Sequence, residues 1–99
     1  MATKLVLTAE AATEVTEAYG WYENRRRGLG EEFLTCVEAS INNLVRFPDL
    51  HAVVYQRFRR ALVRRFPYAV FYEFTGDTVV VFGVLHTAQD PEKLRQRRS

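Results

Sequence analysis

Apolar residues in the first half of the chain recur every three or four positions, which is the spacing of one face of an α-helix. A short β-prone stretch at residues 3–7 comes first, and Thr8 then offers a side-chain oxygen as a helix N-cap. The apolar positions that follow at helical spacing are Ala12, Val15, Tyr19 and Tyr22. With Gly28 as a stop signal, the pattern predicts a strand over residues 3–7 and a helix over roughly residues 9–26.

A second helix is predicted almost at once. Glu31 and Glu32 would occupy its first turn, where the helix dipole favours acidic side chains. Phe33 borders an apolar stripe that consists of Leu34, Val37, Ile41, Leu44 and Val45. Phe47-Pro48 ends the helix, because a residue before proline is pushed out of the helical conformation. Two helices with so short a link are expected to pack as an antiparallel hairpin.

After a loop around residues 48–52 the apolar period changes to two, which is typical of β-strands. Three strands are predicted, over residues 60–65, 68–75 and 78–86. Phe66-Pro67 breaks the chain after the first of them, and Gly76-Asp77 is a turn signal after the second. The last strand is apolar on both faces, so we expect it to lie centrally or to be covered on both sides.

These elements predict an α+β fold with the order β-α-α-β-β-β, in which a helical hairpin packs on an antiparallel sheet. The chain has 99 residues, of which 47% are hydrophobic, enough for one core. We therefore expect residues 1–99 to form a single domain, with residues 88–99 as a basic C-terminal tail.

Charge divides the chain unevenly, although the net charge is only +2. Residues 1–45 carry four bases and seven acids, whereas residues 46–99 carry ten bases and five acids. The second half would therefore attract an acidic partner or a nucleic acid. Its densest basic stretch includes Arg57, Arg59, Arg60, Arg64 and Arg65.

Several classes of protein find no support in the sequence. No apolar run is long enough for a transmembrane helix, and the first residues lack the layout of a signal peptide. The one cysteine, Cys36, cannot form an internal disulfide and fits the apolar pattern of the second helix as a small buried residue. No metal site, phosphate loop or hydrolase triad is evident, so no cofactor is expected. A cytoplasmic location fits best.

His86 is the residue that most invites a catalytic hypothesis. With Arg64, Arg65 and Tyr68 nearby, it would supply the proton transfer and charge stabilisation that RNA cleavage through the 2′-hydroxyl requires. The alternative is a strand-end histidine that is hydrogen-bonded to backbone. Successive residues of a strand point to opposite faces, so Arg64 and Arg65 could not both join one patch.

Four segments in the same order resemble toxins of the RelE/ParE superfamily, over roughly residues 4–98. They are LVLTAEAATEV, WYENRRRGLGEEFL, LVRRFPYAVFYEF and VVVFGVLHTAQDP. The resemblance implies the toxin of a type II toxin–antitoxin system, nearer the ParE branch. Ala69 and Thr87 stand where the RNA-cleaving RelE branch tends to carry basic residues, and no tyrosine follows Tyr72.

The resemblance therefore implies an inhibitor of DNA gyrase without catalytic residues of its own. One alternative is a RelE-like, ribosome-dependent mRNA endonuclease that uses His86, Arg64 and Arg65. Another is a toxin that has lost its activity and binds only its antitoxin and operator.

The partners implied are DNA gyrase and a ParD-like antitoxin whose disordered C-terminal segment folds onto the toxin. Operator DNA would be contacted only through the antitoxin, and no membrane is involved. An acidic amphipathic segment would suit the basic second half of the chain. The residues expected near this contact are Trp21, Tyr22, Phe33 and Arg60.

Overall fold

The structure is a computed structural model, and it describes residues 1–98. Its elements are β1 (Lys4–Leu7), α1 (Ala9–Arg25), α2 (Leu29–Arg46), β2 (Val53–Tyr55), β3 (Phe58–Leu62), β4 (Tyr68–Thr75), β5 (Thr78–His86), a 3₁₀ helix (Pro91–Leu94) and α3 (Arg95–Arg98). The predicted α+β class is confirmed. Ser99, the last residue of the predicted tail, lies outside the described residues.

The two long helices form as predicted, for the local reasons expected. The Thr8 hydroxyl accepts a hydrogen bond from the Ala11 N–H, which caps α1. At the other end Gly28 adopts a left-handed conformation, with φ of 90°. The Glu23 carboxylate accepts from the N–H groups of Gly28 and Gly30, at 3.0 Å each. This carboxylate holds the tight link between the helices, and Glu31 and Glu32 lie in the first turn of α2, as predicted.

The sheet has five strands in the order β1-β5-β4-β3-β2. It is mixed rather than wholly antiparallel, because β1 pairs parallel with β5 while the other pairs are antiparallel. The last strand, β5, lies inside the sheet between β1 and β4, in agreement with its apolar sequence. A parallel pair needs a long crossover connection, and here the α1–α2 hairpin lies on that connection.

The strands over residues 53–65 differ from the sequence prediction. β2 was not predicted, since three residues carry too little pattern for detection. β3 covers Phe58–Leu62 rather than residues 60–65. Arg65 has a φ of 71°, which no strand residue adopts, and Phe66-Pro67 follows it. Arg64 and Arg65 therefore lie in the loop after β3.

The core lies in two layers, one on each face of the sheet. Between the helices and the sheet lie Phe33, Val37, Ile41, Leu44, Val70, Tyr72, Val79 and Val81. Phe33, which borders the predicted apolar stripe of α2, is fully buried in this layer, and the partly buried Cys36 packs against the layer. The smaller layer on the opposite face contains Phe58, Ala69, Phe71, Leu85 and Leu94.

Within the predicted basic tail, Pro91–Leu94 form a 3₁₀ helix and Arg95–Arg98 continue it as α3. Leu94 is fully buried against the sheet face that the helices leave open. Gly83 permits this approach, because a Cβ there would lie 2.8 Å from Leu94 Cδ2. Among residues 1–98, no helix combines the length and the apolar character needed to cross a bilayer.

Candidate functional site

A cleft with a volume of about 970 Å³ runs between α1 and the end of the sheet where β4 begins and β5 ends. Its α1 wall carries Glu10, Glu17, Trp21 and Tyr22, and its opposite wall carries Tyr68, His86, Lys93 and Arg97. One wall is therefore acidic and aromatic, and the other is polar and basic. Four residues from the sequence-based hypotheses line it, namely Trp21, Tyr22, Tyr68 and His86.

Tyr22 lies at the centre of an aromatic cluster at the inner end of the cleft. Its ring centroid is 4.9–6.2 Å from those of Phe66, Phe33, Trp21 and Tyr68. Burial, and to a lesser extent the neighbouring Tyr68, raises the pKa of Tyr22, and burial alone raises the pKa of Tyr68. Both phenols therefore remain neutral hydrogen-bonding groups at physiological pH.

Trp21 is exposed at the mouth of the cleft, with 53% of its surface accessible. The Arg25 guanidinium lies over its ring, 4.1 Å from the centroid, one helical turn further along α1. Tyr22 contacts the ring edge-on. The indole is thus held in place before any partner arrives, which is the condition under which an aromatic anchor contributes most to binding.

Phe33 and Arg60 are not on this surface. Phe33 has no accessible surface, so it can influence a partner only through the cleft residues that pack on it, Tyr22 and Tyr68. Arg60 is exposed in β3 and alternates with Ala61, whose side chain belongs to the helix-side core. The Arg60 side chain therefore lies on the opposite face of the sheet, and the four residues proposed for the antitoxin contact do not form one patch.

His86 has a structural role at the end of β5. It pairs across the sheet with Tyr68, at 5.3 Å between ring centroids. Its Nδ1 accepts a hydrogen bond from the Ala88 N–H at 3.0 Å, and its own N–H donates to the Gln89 side chain at 2.9 Å. The imidazole therefore shapes the turn into the 3₁₀ helix, and only Nε2 remains for a substrate.

Arg64 and Arg65 line a different groove, between α2 and the end of β3. Arg65 forms an ion pair with Glu32 at 2.8 Å, and Arg26 contacts the same carboxylate at 3.1 Å. Hydrogen bonds from Arg65, and then from Arg26, lower the pKa of Glu32. Arg65 thus ties the loop after β3 to the helical hairpin. The described residues that line the His86 cleft include neither arginine.

An ion pair between Glu14 and Arg97 closes the side of the cleft, and sequence reasoning missed it. The Arg97 nitrogens lie 3.1 and 2.8 Å from the two Glu14 oxygens. Glu14 also accepts from the Val84 N–H, and Arg97 donates to the Phe82 carbonyl. β1 pairs only with the first half of β5, up to Val81. Beyond that point the Glu14 and Arg97 side chains form hydrogen bonds with the backbone of β5.

No set of three histidine, cysteine, aspartate or glutamate side chains that could hold a metal ion occurs in the described part of the chain. The arrangement therefore consists of an aromatic cleft, a separate arginine-lined groove and an ion pair with a structural role. The basic residues that share the cleft with His86, Lys93 and Arg97, both pair with Glu14, whereas Arg64 and Arg65 of the endonuclease hypothesis lie in the other groove.

Comparison with known proteins places this fold among toxins. The family model described as "ParE toxin of type II toxin-antitoxin system, parDE" matches residues 5–91. A solved structure, the "Chromosomal ParDE TA system from P. aeruginosa", matches with a TM-score of 0.64 at 15% identity. The match covers 84% of this chain and 94% of that chain, and at this identity it concerns the fold alone. No match was found among curated proteins.

Proposed function

Since the chain belongs to the ParE toxin family of type II toxin–antitoxin systems, we propose that it inhibits DNA gyrase and is neutralised by a ParD-like antitoxin. The toxin acts in the cytoplasm, where gyrase is found. Operator DNA is contacted through the antitoxin. The toxin needs no cofactor and carries no catalytic residues of its own.

The separation of His86 from Arg64 and Arg65 is the observation that carries this proposal. An endonuclease needs a proton-transfer group and a phosphate-binding group on the same scissile bond. Here Nδ1 of His86 is occupied by a backbone N–H, and Arg65 is occupied by Glu32. These contacts favour inhibition through binding over RNA cleavage.

The antitoxin contact includes the cleft beside α1. Trp21 and Tyr22 provide its apolar anchor, with Phe33 supporting Tyr22 from the core. The exposed Glu10 and Glu17 make the α1 wall unfavourable for an acidic segment, so the part of the antitoxin that enters this cleft is apolar. Arg60, on the other sheet face, meets a different part of the antitoxin.

Two assays run in parallel with the purified toxin test the mode of action. One follows supercoiling of relaxed plasmid by DNA gyrase, and the other follows cleavage of messenger RNA on programmed ribosomes. We expect supercoiling to be lost while the RNA stays intact. His86→Ala should inhibit gyrase as well as the wild-type chain does, provided that its melting temperature shows that the turn after β5 is retained.

Two results would contradict gyrase inhibition. Codon-phased RNA cuts that disappear in His86→Ala would make the protein an endonuclease of the RelE kind. If the purified toxin is inactive in both assays but still binds its antitoxin in a separate binding experiment, it has kept only its antitoxin contact.

Trp21→Ala tests the antitoxin contact. Loss of a preordered aromatic anchor should weaken binding of the cognate antitoxin by about 2 kcal/mol, or roughly thirtyfold in Kd. Leu50→Ala is the matched control, because Leu50 is a large apolar residue that is 75% exposed in the loop after α2. Isothermal titration calorimetry measures both variants, and equal affinities would remove Trp21 from the interface.

A further inference from the structure

β1 forms one outer edge of the sheet, and this edge is apolar. Within residues 1–98, β1 pairs only with β5, so its other side faces solvent. Leu5, Val6 and Leu7 are 44%, 48% and 37% exposed, which makes three consecutive exposed apolar residues. Natural edge strands are usually protected by a charge, a proline, a bulge or a covering loop. Residues 5–7 contain no charge and no proline, and their register with β5 is regular, so the edge is open to a further strand.

The backbone groups of Leu5 and Leu7 point out of this edge. At the end of β1, the Thr8 N–H donates to the Val81 carbonyl at 3.1 Å, on the β5 side. Alternate residues of a strand direct their N–H and C=O groups to opposite sides. Leu5 and Leu7 lie an odd number of positions before Thr8, so each directs one donor and one acceptor away from β5. Unpaired groups of this kind are a template for an added strand.

A second copy of β1 complements these groups in an antiparallel register. When Val6 lies opposite Val6 of the second copy, Leu5 lies opposite Leu7, and every outward donor meets an outward acceptor. A shift that placed Leu5 opposite Leu5 would bring Leu7 opposite Thr3. The Thr3 N–H already donates to the Asp77 carbonyl at 2.8 Å, so that register forms fewer bonds. The geometry of the edge therefore favours one pairing.

The side chains agree with this register. Leu5 and Leu7 are aligned with β5 valines of the helix-side core, so leucine meets leucine on that side of the joined sheets. Val6 meets Val6 on the opposite face. Lys4 is the one charged residue of β1, and it lies two positions from the two-fold axis in each copy. The two Lys4 positions are thus about 13 Å apart along the strands, beyond the distance at which salt screens exposed charges.

We propose that the toxin without its antitoxin forms a homodimer in which two β1 edges pair antiparallel and join two five-stranded sheets. This inference does not depend on the proposed function, since it needs neither gyrase nor antitoxin. The contact is isologous and closes at two copies, whereas pairing of β1 with β2 of another copy would be heterologous and would extend into a fibre. A strand of four residues gives a small interface, so we expect a weak dimer that forms at high concentration.

Sedimentation velocity of the purified toxin alone, from about 1 to about 500 µM, tests the dimer. We expect the apparent mass to rise with concentration toward that of two chains. Val6→Lys should weaken self-association by about tenfold or more, because two lysines would face each other across the axis. Val53→Lys is the matched control, since Val53 is 52% exposed on β2, the outermost strand at the other end of the sheet. Melting temperatures show whether both variants are folded.

Disulfide cross-linking tests the register. Cys36→Ser first removes the one native thiol. In that background, Val6→Cys should form a linked dimer with glutathione disulfide as oxidant, because opposite residues of a non-hydrogen-bonded pair lie about 4.5 Å apart. Leu5→Cys is the control and should link more slowly, since Leu5 lies opposite Leu7. Faster linking of Leu5→Cys than of Val6→Cys would show that the strands do not pair in this register.

Three further results would overturn the dimer. The first is the mass of one chain at every concentration. The second is a dimer that Val53→Lys weakens and Val6→Lys leaves intact, because β2 would then hold the interface. The third is a monomeric toxin in which amide hydrogen exchange at Leu5 and Leu7 slows only in the antitoxin complex, because the antitoxin would then be the occupant of this edge.

Discussion

At the scale of single residues, Glu14 and Arg97 form an ion pair that is mostly buried. Both side chains are only 15% exposed, so they differ from surface ion pairs, whose contribution solvent and salt largely cancel. Each also bonds to a backbone group of β5: Glu14 accepts from the Val84 N–H, and Arg97 donates to the Phe82 carbonyl. Their interaction therefore joins α1, β5 and the C-terminal segment at one point.

Glu14→Gln should destabilise the protein by about 2 kcal/mol, because it leaves the mostly buried Arg97 guanidinium without its counter-charge. Urea denaturation measures the free energy of unfolding. Glu17→Gln is the control on the same helix, since Glu17 is exposed and forms no ion pair within residues 1–98. Equal stabilities of the two variants would show that the Glu14 pair contributes no more than a surface pair.

At the scale of elements, the link between α1 and α2 depends on the close approach of two backbones. A Cβ at Gly30 would lie 2.8 Å from the Tyr19 carbonyl oxygen and 3.1 Å from Glu23 Cβ. Backbone cannot yield as a flexible side chain does, so the hairpin would have to open. The Glu23 carboxylate that caps this link would move with it.

Gly30→Ala should therefore cost about 1–3 kcal/mol of stability through this overpacking. Gly20→Ala provides a control of opposite sign, since nothing lies within 4 Å of a Cβ there and Gly20 is inside α1. It should stabilise the protein by up to about 1 kcal/mol, because alanine favours helix. Thermal melting measures the change in stability of both variants. An unchanged melting temperature for Gly30→Ala would mean that the two helices can move apart at no cost in stability.

At the scale of the whole molecule, the sheet needs a cover on each face. The hairpin covers one face, and the segment after β5 covers part of the other through Leu94. Leu94 fills the space above Phe58, Phe71 and Leu85 without any exposed surface. The C-terminal segment is thus part of the fold, although its sequence is mostly polar.

Leu94→Ala should lower the free energy of unfolding by about 2–4 kcal/mol, the range for removing a buried leucine side chain and leaving a cavity. The neighbouring Arg95→Ala is the control, because Arg95 is exposed. Urea denaturation measures the free energy of unfolding of both variants. A small effect of Leu94→Ala would show that the segment detaches readily from the sheet.

The elements that local patterns specify were found from the sequence. α1 and α2 follow their caps and apolar spacing, and β4 and β5 follow alternation and the Gly76-Asp77 turn. The candidate residues on the cleft, Trp21, Tyr22, Tyr68 and His86, were also named from the sequence. Helical spacing and strand alternation depend only on residues that are close together in the chain, so both patterns are visible in a single sequence.

Contacts between residues far apart in the chain were decided by the tertiary structure. The parallel pairing of β1 with β5 and the Glu14–Arg97 pair join residues from opposite ends of the sequence, and Leu94 is buried against Phe58 and Phe71, which lie more than twenty positions before it. The positive φ of Arg65 ends β3 early and carries Arg64 and Arg65 away from His86. Local pattern determines which elements form, but three-dimensional packing determines which distant side chains meet.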